Sequence, residues 1–200
     1  ALGDALAEAA LPIMSLNVRI GDTFGCAAVS GLSNNARADI DHAIEAAAFT
    51  GAGAIHVLAG RAEGPAARDA YLENLQYALD GFERTILIEP ICRAQVPGSF
   101  LSTVEQAAAI IAEIGHPRLR IMFDCYHTQM MQGSLTRWIE YLLPLIGHIQ
   151  IAAVPSREEP DVGEIAYDRL LPAIAAMGYH GYIGAVYKPL GKVEDCLGWL

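Results

Sequence analysis

Short apolar runs alternate with longer amphipathic segments along the chain. The short runs predict strands at residues 13–18, 54–58, 85–89, 119–123, 148–152 and 182–185. The longer segments predict helices at residues 34–50, 66–82, 103–114, 135–143 and 167–177. In the second of these helices the apolar residues have the spacing of one helix face, and they are Tyr71, Leu72, Leu75, Ala78 and Leu79. Strands alternating with helices of this length indicate βαβ units and a parallel sheet.

Several predicted helices carry sequence signals at their ends. Ser102 is expected to cap the third helix, with Glu105 at the third helical position, in the pattern of a capping box. Gly51, Gly115 and Gly178 fall where helices should stop. Residues 1–12 also have the composition of a helix, so the chain is expected to open inside one.

Polar residues gather after the carboxyl ends of several strands. A doubly wound sheet usually has a glycine-rich phosphate loop after its first strand, and residues 19–31 contain no GxGxxG register. The distribution favours a TIM (β/α) barrel, an α/β fold whose functional residues lie on the loops that follow the strands. Such barrels need eight strands and about 250 residues. We therefore expect residues 1–200 to form a single partial barrel domain that lacks the first two strands.

An incomplete barrel leaves two strands without a neighbour. The strands at residues 13–18 and 182–185 would each have an unpaired edge, which is a liability for association. We expect this open sheet either to pair with another chain, giving a homo-oligomer, or to be covered by its terminal helices.

Composition and charge narrow the possible partners. The chain is 53% hydrophobic and 18% charged, as in a well-packed globular protein. Its net charge of −10 argues against binding to nucleic acid or to anionic membranes. No apolar run approaches the ~18 residues of a membrane span, and the start lacks the features of a signal peptide. Four cysteines without CxxC spacing favour reduced thiols in a cytoplasmic protein.

Two strand ends carry ionisable side chains. Glu89 follows an apolar run, and a carboxylate buried there needs a cation or hydrogen-bond donors. The alternative is simple pairing with a nearby arginine such as Arg93. Asp124 ends the next strand and His127 follows three residues later, which suits an oxygen ligand and a substrate-orienting imidazole. The alternative there is a helix-capping aspartate and a surface histidine.

A third strand contributes an amide. Gln150 lies within an otherwise apolar strand, where it is either a ligand or a core glutamine bonded to the backbone. Glu89, Asp124 and Gln150 together offer three oxygen ligands to a hard divalent ion, Mg²⁺ or Mn²⁺. Zinc would more often be held by nitrogen or sulfur. His56, on the second strand, is the other histidine expected to face this pocket.

The last strand lacks the polar residue that follows or ends the strands described above. In "GYIGAVYKPLG" the strand runs into a turn, and the residue at its end is Val186. Valine can neither ligate a metal nor carry a proton, so this position is either an active site with one part missing or no active site.

Several segments resemble the hydroxypyruvate isomerase family of the xylose isomerase-like TIM barrels. They include "LIEPI", "FDCYHTQMMQGSLT", "GHIQIAAVPSREEPDVGEIAYDRLL" and "GYHGYIGAVYKPLG", together with the earlier "GDTFG" loop and "IHVLAGR". The similarity runs from about residue 16 to residue 200. It implies interconversion of hydroxypyruvate and tartronate semialdehyde, or of a related short 2-oxo acid, without an organic cofactor.

The resemblance also implies roles for individual residues. Two catalytic glutamates act as proton donor and acceptor; the first matches Glu89 and the second falls on Val186. Where relatives bind a divalent metal, the second glutamate is one ligand and the other ligands match Glu89, Asp124 and Gln150. The positions that face the substrate match His127 and Arg157.

Three functional hypotheses follow. The first is an isomerase impaired at Val186, because general acid–base catalysis typically contributes ~10²–10⁴-fold in rate; Glu164, Glu194 or Asp195 could substitute for the missing carboxylate. The second is a non-catalytic family member that binds a small carboxylate or a protein partner. The third, a DNA-repair endonuclease of the same superfamily, is disfavoured by the acidic charge and the lack of a histidine-rich multi-metal motif.

Overall fold

The computed structural model describes Glu8 and residues 11–199, and it contains one six-stranded parallel sheet in that part of the chain. The strands lie side by side in chain order, as β1 (Ser15–Asn17), β2 (Ala54–His56), β3 (Thr85–Ile88), β4 (Leu119–Asp124), β5 (Ile146–Ile151) and β6 (Ile183–Ala185). All six strands were predicted, and β5 begins two residues earlier than expected. The helix expected at residues 1–12 lies largely outside the described residues.

Helices follow the strands in the βαβ manner. They are α1 (Ser33–Thr50), α2 (Pro65–Gly81), α3 (Val104–Ile114), α4 (Cys125–Met131), α5 (Leu135–Leu142) and α6 (Tyr167–Ala176). Short 3-10 turns occur at Leu143–Leu145, Pro160–Val162 and Val193–Asp195. The sequence predicted every helix of this set except α4. None of the helices in the described ranges combines the length and apolarity that a bilayer crossing requires.

The sheet has two faces with different neighbours because successive strand residues point to opposite sides. Isoleucines of the outer face, such as Ile55, Ile86 and Ile149, are buried in the main core with the helices. The predicted apolar face of α2 packs into this core, with Tyr71, Leu75, Ala78 and Leu79 buried and Leu72 half-buried. Residues of the inner face form a separate small cluster of Ala54, Leu87 and Met122. The described residues thus form the wall of an incomplete barrel, with β1 and β6 as its edge strands.

The cap of α3 lies one residue later than predicted. Thr103, not Ser102, is the capping residue: its backbone is extended and its hydroxyl accepts from the Gln106 backbone N–H. The side chain of Gln106 reaches back to the backbone N–H of Ser102. Ser102 therefore precedes the helix, and the capping pair is Thr103 with Gln106 rather than Ser102 with Glu105.

The loop after β1 crosses closely over the end of β2. Gly25 forms an antiparallel bridge with Ala59, and its φ of +89° is a backbone conformation that favours glycine. A Cβ at Gly25 would lie 2.5 Å from the carbonyl oxygen of Leu58. This close approach holds the preceding residue, Phe24, at the mouth of the barrel wall.

We expect Gly25→Ala to destabilise the protein more than Gly31→Ala. Gly31 has nearly the same backbone conformation, with φ at +85°, but open space where its Cβ would be. Left-handed strain costs about 1–3 kcal/mol and is shared by both variants. Overlap with Leu58 should add at least about 1–3 kcal/mol in Gly25→Ala. Urea unfolding midpoints test this, and equal midpoints for the two variants would contradict the close approach.

Candidate active site

The carboxyl ends of the strands open onto a cavity of about 260 Å³. Its polar wall consists of Asn17, His56, Glu89, Gln95, His127, Gln150 and Arg157. Its apolar wall consists of Ile20, Phe24, Leu58, Ile91, Val96, Met122 and Val186. All the site residues predicted from the sequence line this cavity except Asp124, which is buried beside it.

Glu89 follows β3 and stands between two histidines. Its Oε2 lies 3.8 Å from Nε2 of His56, and its Oε1 lies 3.8 Å from Nε2 of His127. Burial raises the pKa of the Glu89 carboxyl well above its usual range; the nearby Asp124 charge raises it further, and Arg157 lowers it. Arg93 lines a different surface pocket, so simple pairing with Arg93 is not what the structure shows.

Asp124 serves the fold and the site at once. Its Oδ1 accepts the backbone N–H groups of Tyr126 at 2.7 Å and His127 at 3.2 Å, which caps α4. Its Oδ2 is buried without a hydrogen-bond partner among the described residues and lies 3.7 Å from the guanidinium of Arg157. Burial raises the pKa of Asp124, against the lowering effects of Arg157 and the capping bonds. The capping alternative and the site hypothesis therefore both describe this residue.

The two histidines of the cavity are buried and neutral. Burial, with a smaller effect from His127, lowers the pKa of His56 to about 3. Burial, with a smaller effect from Arg157, lowers the pKa of His127 to about 3. His127 is only 2% exposed, so the alternative of a surface histidine is wrong. Each ring is held through Nδ1: His56 by Asn17 at 3.1 Å, and His127 by the backbone N–H of Cys92 at 3.3 Å.

The far wall is built where β5 and β6 pair. Gln150 is in register with Asp124 on one side and Gly184 on the other. A Cβ at Gly184 would lie 3.8 Å from Cγ of Gln150, so Gly184 faces the inner side of the wall. Val186 is two residues further on and faces the same side, and its N–H donates to the Ile151 carbonyl at 3.0 Å.

Arg157 is brought to the cavity by the loop after β5. Its φ of +60° turns the chain back, and its carbonyl accepts the N–H of Lys188 at 2.8 Å. The guanidinium stacks over the Tyr126 ring, 5.1 Å from the centroid. A planar cation thus stands beside the two buried carboxylates, Glu89 and Asp124.

The donor set fits a hard divalent cation. Glu89, Asp124 and His127 each offer an atom within 4.8 Å of the others, and all three are buried. The two carboxylates supply the oxygen atoms that such an ion prefers, and the His127 imidazole borders the same place. A bound cation would pair with the unpartnered Oδ2 of Asp124 and would lower the raised pKa values of both carboxyls. Gln150 adds an amide oxygen from the same wall, so the oxygen ligands predicted from the sequence are gathered in one place.

Some residues of the site were not predicted. Asn17 ends β1 as Asp124 ends β4, so the rule that polar residues at strand ends face the site would have found it. Phe24 and Cys92 have no such signal. Phe24 reaches the cavity through the loop crossing, and Cys92 acts through its backbone N–H.

A larger cavity, of about 630 Å³, lies away from this chemistry. It is bounded by α6 and the loop before it, and Glu164, Leu171 and Trp199 are among its lining residues. None of the buried carboxylates and histidines described above lines it. We therefore place the candidate active site in the smaller cavity.

The chain is similar to proteins of known type over most of its length. Residues 1–200 match the family model of the xylose isomerase-like TIM barrel. The 2-oxo-tetronate isomerase of Cupriavidus necator is 40% identical over 88% of this chain and 70% of its own length. The hydroxypyruvate isomerase of Escherichia coli is 35% identical over 88% of this chain and 71% of its own.

The chain belongs to the hydroxypyruvate isomerase family of the xylose isomerase-like TIM barrels. Its fold also matches a crystal structure of an AP endonuclease, family 2, from Brucella melitensis, with a TM-score of 0.94 and 33% identity over 99% of this chain and 81% of that one. The xylose isomerase-like barrel fold, the family and its isomerase character predicted from the sequence are confirmed.

The raised pKa of Glu89 predicts a pH-dependent stability penalty. The folded state holds the Glu89 proton more tightly than the unfolded state, so the free energy of unfolding falls as pH rises from the ordinary carboxyl range, about 4.3, towards the raised folded pKa. Neutral Gln cannot lose this proton. In chelator-treated buffer, the free energy of unfolding of Glu89→Gln should therefore rise relative to that of the wild type. The rise should be about 1.4 kcal/mol for each pKa unit by which folding raises the pKa of Glu89.

Urea unfolding between pH 4.5 and pH 8 measures this gain. The control is Glu73→Gln, which removes an exposed carboxylate from α2 and should follow the wild type. A constant difference between Glu89→Gln and the wild type across this range would contradict the raised pKa of Glu89.

Proposed function

We propose that this chain is an isomerase of short 2-oxo acids that interconverts hydroxypyruvate and tartronate semialdehyde, or a related pair, and that Val186 impairs it. The observation that carries the proposal is a buried Glu89 carboxyl flanked by two neutral histidines in a small cavity. Two isomerases among the relatives support the reaction class.

The reaction moves one proton between neighbouring carbons. A base takes a proton from C3 of hydroxypyruvate, and the electron pair becomes the double bond of an enediolate. Protonation at C2, with transfer of the hydroxyl proton at C3 to the oxygen on C2, then gives tartronate semialdehyde. One group must move the carbon-bound proton and another must stabilise the oxyanion.

Glu89 is the proton carrier in this proposal. A general base works best when its pKa lies near the operating pH, and burial moves the pKa of Glu89 in that direction. Arg157 provides a planar cation for the substrate carboxylate. The neutral histidines His56 and His127 contribute hydrogen bonds to substrate oxygens rather than charge.

Mg²⁺ or Mn²⁺ would be held by the oxygens of Glu89, Asp124 and Gln150. A bound divalent ion supplies Lewis-acid stabilisation of negative charge. The chain itself fixes the ligand positions: β4 and β5 hold Asp124 and Gln150 in register, and capping of α4 fixes the rotamer of Asp124.

Val186 removes a carboxylate from the opposite wall. The alternatives raised by the sequence do not replace it, because Glu164, Glu194 and Asp195 do not line the cavity. Glu164 lines the larger cavity, and the other two lie on an exposed 3-10 turn. We therefore expect slow turnover that relies on Glu89.

Other functions fit the molecule less well. The cavity of about 260 Å³ suits a ligand of a few carbons rather than a nucleic acid strand, and the net charge of −10 opposes binding to phosphates. A non-catalytic carboxylate binder remains the alternative, and it would use Arg157 in the same way. We further propose a single barrel domain over residues 1–200, working in the cytoplasm without nucleic acid, membrane or organic cofactor and able to form a homo-oligomer.

Replacing Val186 with glutamate should restore turnover. We expect Val186→Glu to isomerise hydroxypyruvate ~10²–10⁴-fold faster than the wild type in Mg²⁺ or Mn²⁺. The matched control is Val186→Gln, which offers an oxygen ligand of the same size without a proton carrier. A higher isomerisation rate in Val186→Glu but not in Val186→Gln would identify proton transfer as the missing function.

The measurement is the initial rate of tartronate semialdehyde formation. Equal rates for the wild type and Val186→Glu would contradict the role of this position. No turnover in any folded variant would favour the carboxylate-binding alternative.

Divalent ions should stabilise the wild type. A ligand at 100 times its Kd adds about 2.7 kcal/mol, which corresponds to roughly 5–10 °C in Tm for a chain of this size. Asp124→Asn, which keeps an oxygen able to cap α4, should lose most of this shift, whereas the exposed control Asp69→Asn should retain it. Thermal unfolding with Mn²⁺, Mg²⁺ or chelator tests this; identical shifts in both variants would place the ion elsewhere.

A further inference from the structure

The two histidines of the cavity are anchored through the same ring atom to groups of opposite hydrogen-bonding character. His56 Nδ1 lies 3.1 Å from Oδ1 of Asn17, and an amide oxygen only accepts. His127 Nδ1 lies 3.3 Å from the backbone nitrogen of Cys92, whose N–H only donates. The Cys92 thiol, 3.2 Å from the same ring nitrogen, can donate there as well.

These anchors set where each ring carries its proton. A neutral imidazole has one N–H, and the partner of one nitrogen determines which nitrogen holds it. The Asn17 acceptor favours a proton on Nδ1 of His56, which leaves Nε2 as an acceptor. The Cys92 donor favours a proton on Nε2 of His127, which makes that atom a donor.

The Nε2 atoms of both histidines face the Glu89 carboxylate. They lie 3.8 Å from the two different oxygens of Glu89, which is beyond hydrogen-bond distance. His56 Nε2 is buried and has no hydrogen-bond partner among the described residues. A buried acceptor without a donor is costly, so the arrangement is suited to a ligand that supplies one.

We propose that His56 and His127 are held in opposite neutral tautomers that together recognise an α-hydroxy carbonyl group: His56 Nε2 accepts from the hydroxyl, and His127 Nε2–H donates to the carbonyl oxygen. Asn17 is the positioning residue for His56, and the Cys92 backbone has this role for His127. The choice of ligand rests on the proposed function; the tautomers do not depend on it.

Nuclear magnetic resonance reads the tautomers directly. Two-bond ¹⁵N–¹H correlation spectra of the full chain, labelled in histidine and recorded in Mg²⁺, show which ring nitrogen is protonated. His56→Gln and His127→Gln assign the two sets of signals. We expect Nδ1–H for His56 and Nε2–H for His127, and the opposite tautomer in either ring overturns the proposal.

Binding tests the consequence for recognition. Hydroxypyruvate and pyruvate differ by one hydroxyl, and calorimetric titration gives their affinities for the wild type, Asn17→Leu and Asn17→Asp. We expect the wild type to prefer hydroxypyruvate by roughly three- to tenfold, the value of one neutral hydrogen bond. Asn17→Leu releases His56 and should lose this preference, whereas Asn17→Asp keeps the acceptor and should preserve it.

The variants are expected to fold because Asn17 is exposed on an outer strand. An equal preference in all three proteins, or none in the wild type, overturns the proposal. The result is separable from the isomerase assay, since neither measurement requires turnover. A silent Val186→Glu variant with the expected tautomers and preferences would refute the proposed reaction and leave the recognition pair standing.

Discussion

The site depends on the burial of two carboxylates at the mouths of neighbouring strands. Removing Glu89 and Asp124 from water costs several kcal/mol unless the surroundings compensate. The compensation is visible in the N–H groups that cap α4 and in the guanidinium of Arg157, 3.7 Å from Asp124. The same burial keeps the neighbouring histidines uncharged. The loop that turns back at Arg157 and the pairing of β4 with β5 therefore both help to offset the cost of burying the two carboxylates.

Much of the fold was readable from the sequence because it rests on local alternation. Strand residues such as Ile86 and Leu87 pack on opposite faces as the period of two requires. Glu89 and Gln150 were predicted as site residues because a polar residue at a strand end or within an apolar strand needs a partner or a ligand. The features that the sequence did not predict are those set by tertiary position. Helix α4 has seven residues and begins directly at Asp124, so no long apolar period announces it.

The remaining misses have equally physical causes. The cap of α3 lies at Thr103 because this residue, in extended conformation, directly precedes Val104 and its hydroxyl accepts the Gln106 N–H. Cys92 contacts His127 through its backbone N–H and its thiol, and no spacing in the sequence announces a contact across 35 residues. Val186 was recognised because a resemblance supplied an expectation for that position. In the structure its backbone N–H donates to the Ile151 carbonyl, so a valine at this position leaves the strand pairing intact.

The two roles of Asp124 have a consequence for how proteins of this type change when activity is lost in evolution. One oxygen caps α4 and the other lies unpartnered beside the candidate site, so selection for folding alone would be enough to preserve this aspartate. The side chain of Val186, by contrast, is exposed, and a change there leaves the backbone pairing with Ile151 in place. Under the proposed loss of a glutamate at this position, the β4 aspartate is therefore expected to outlast the catalytic activity.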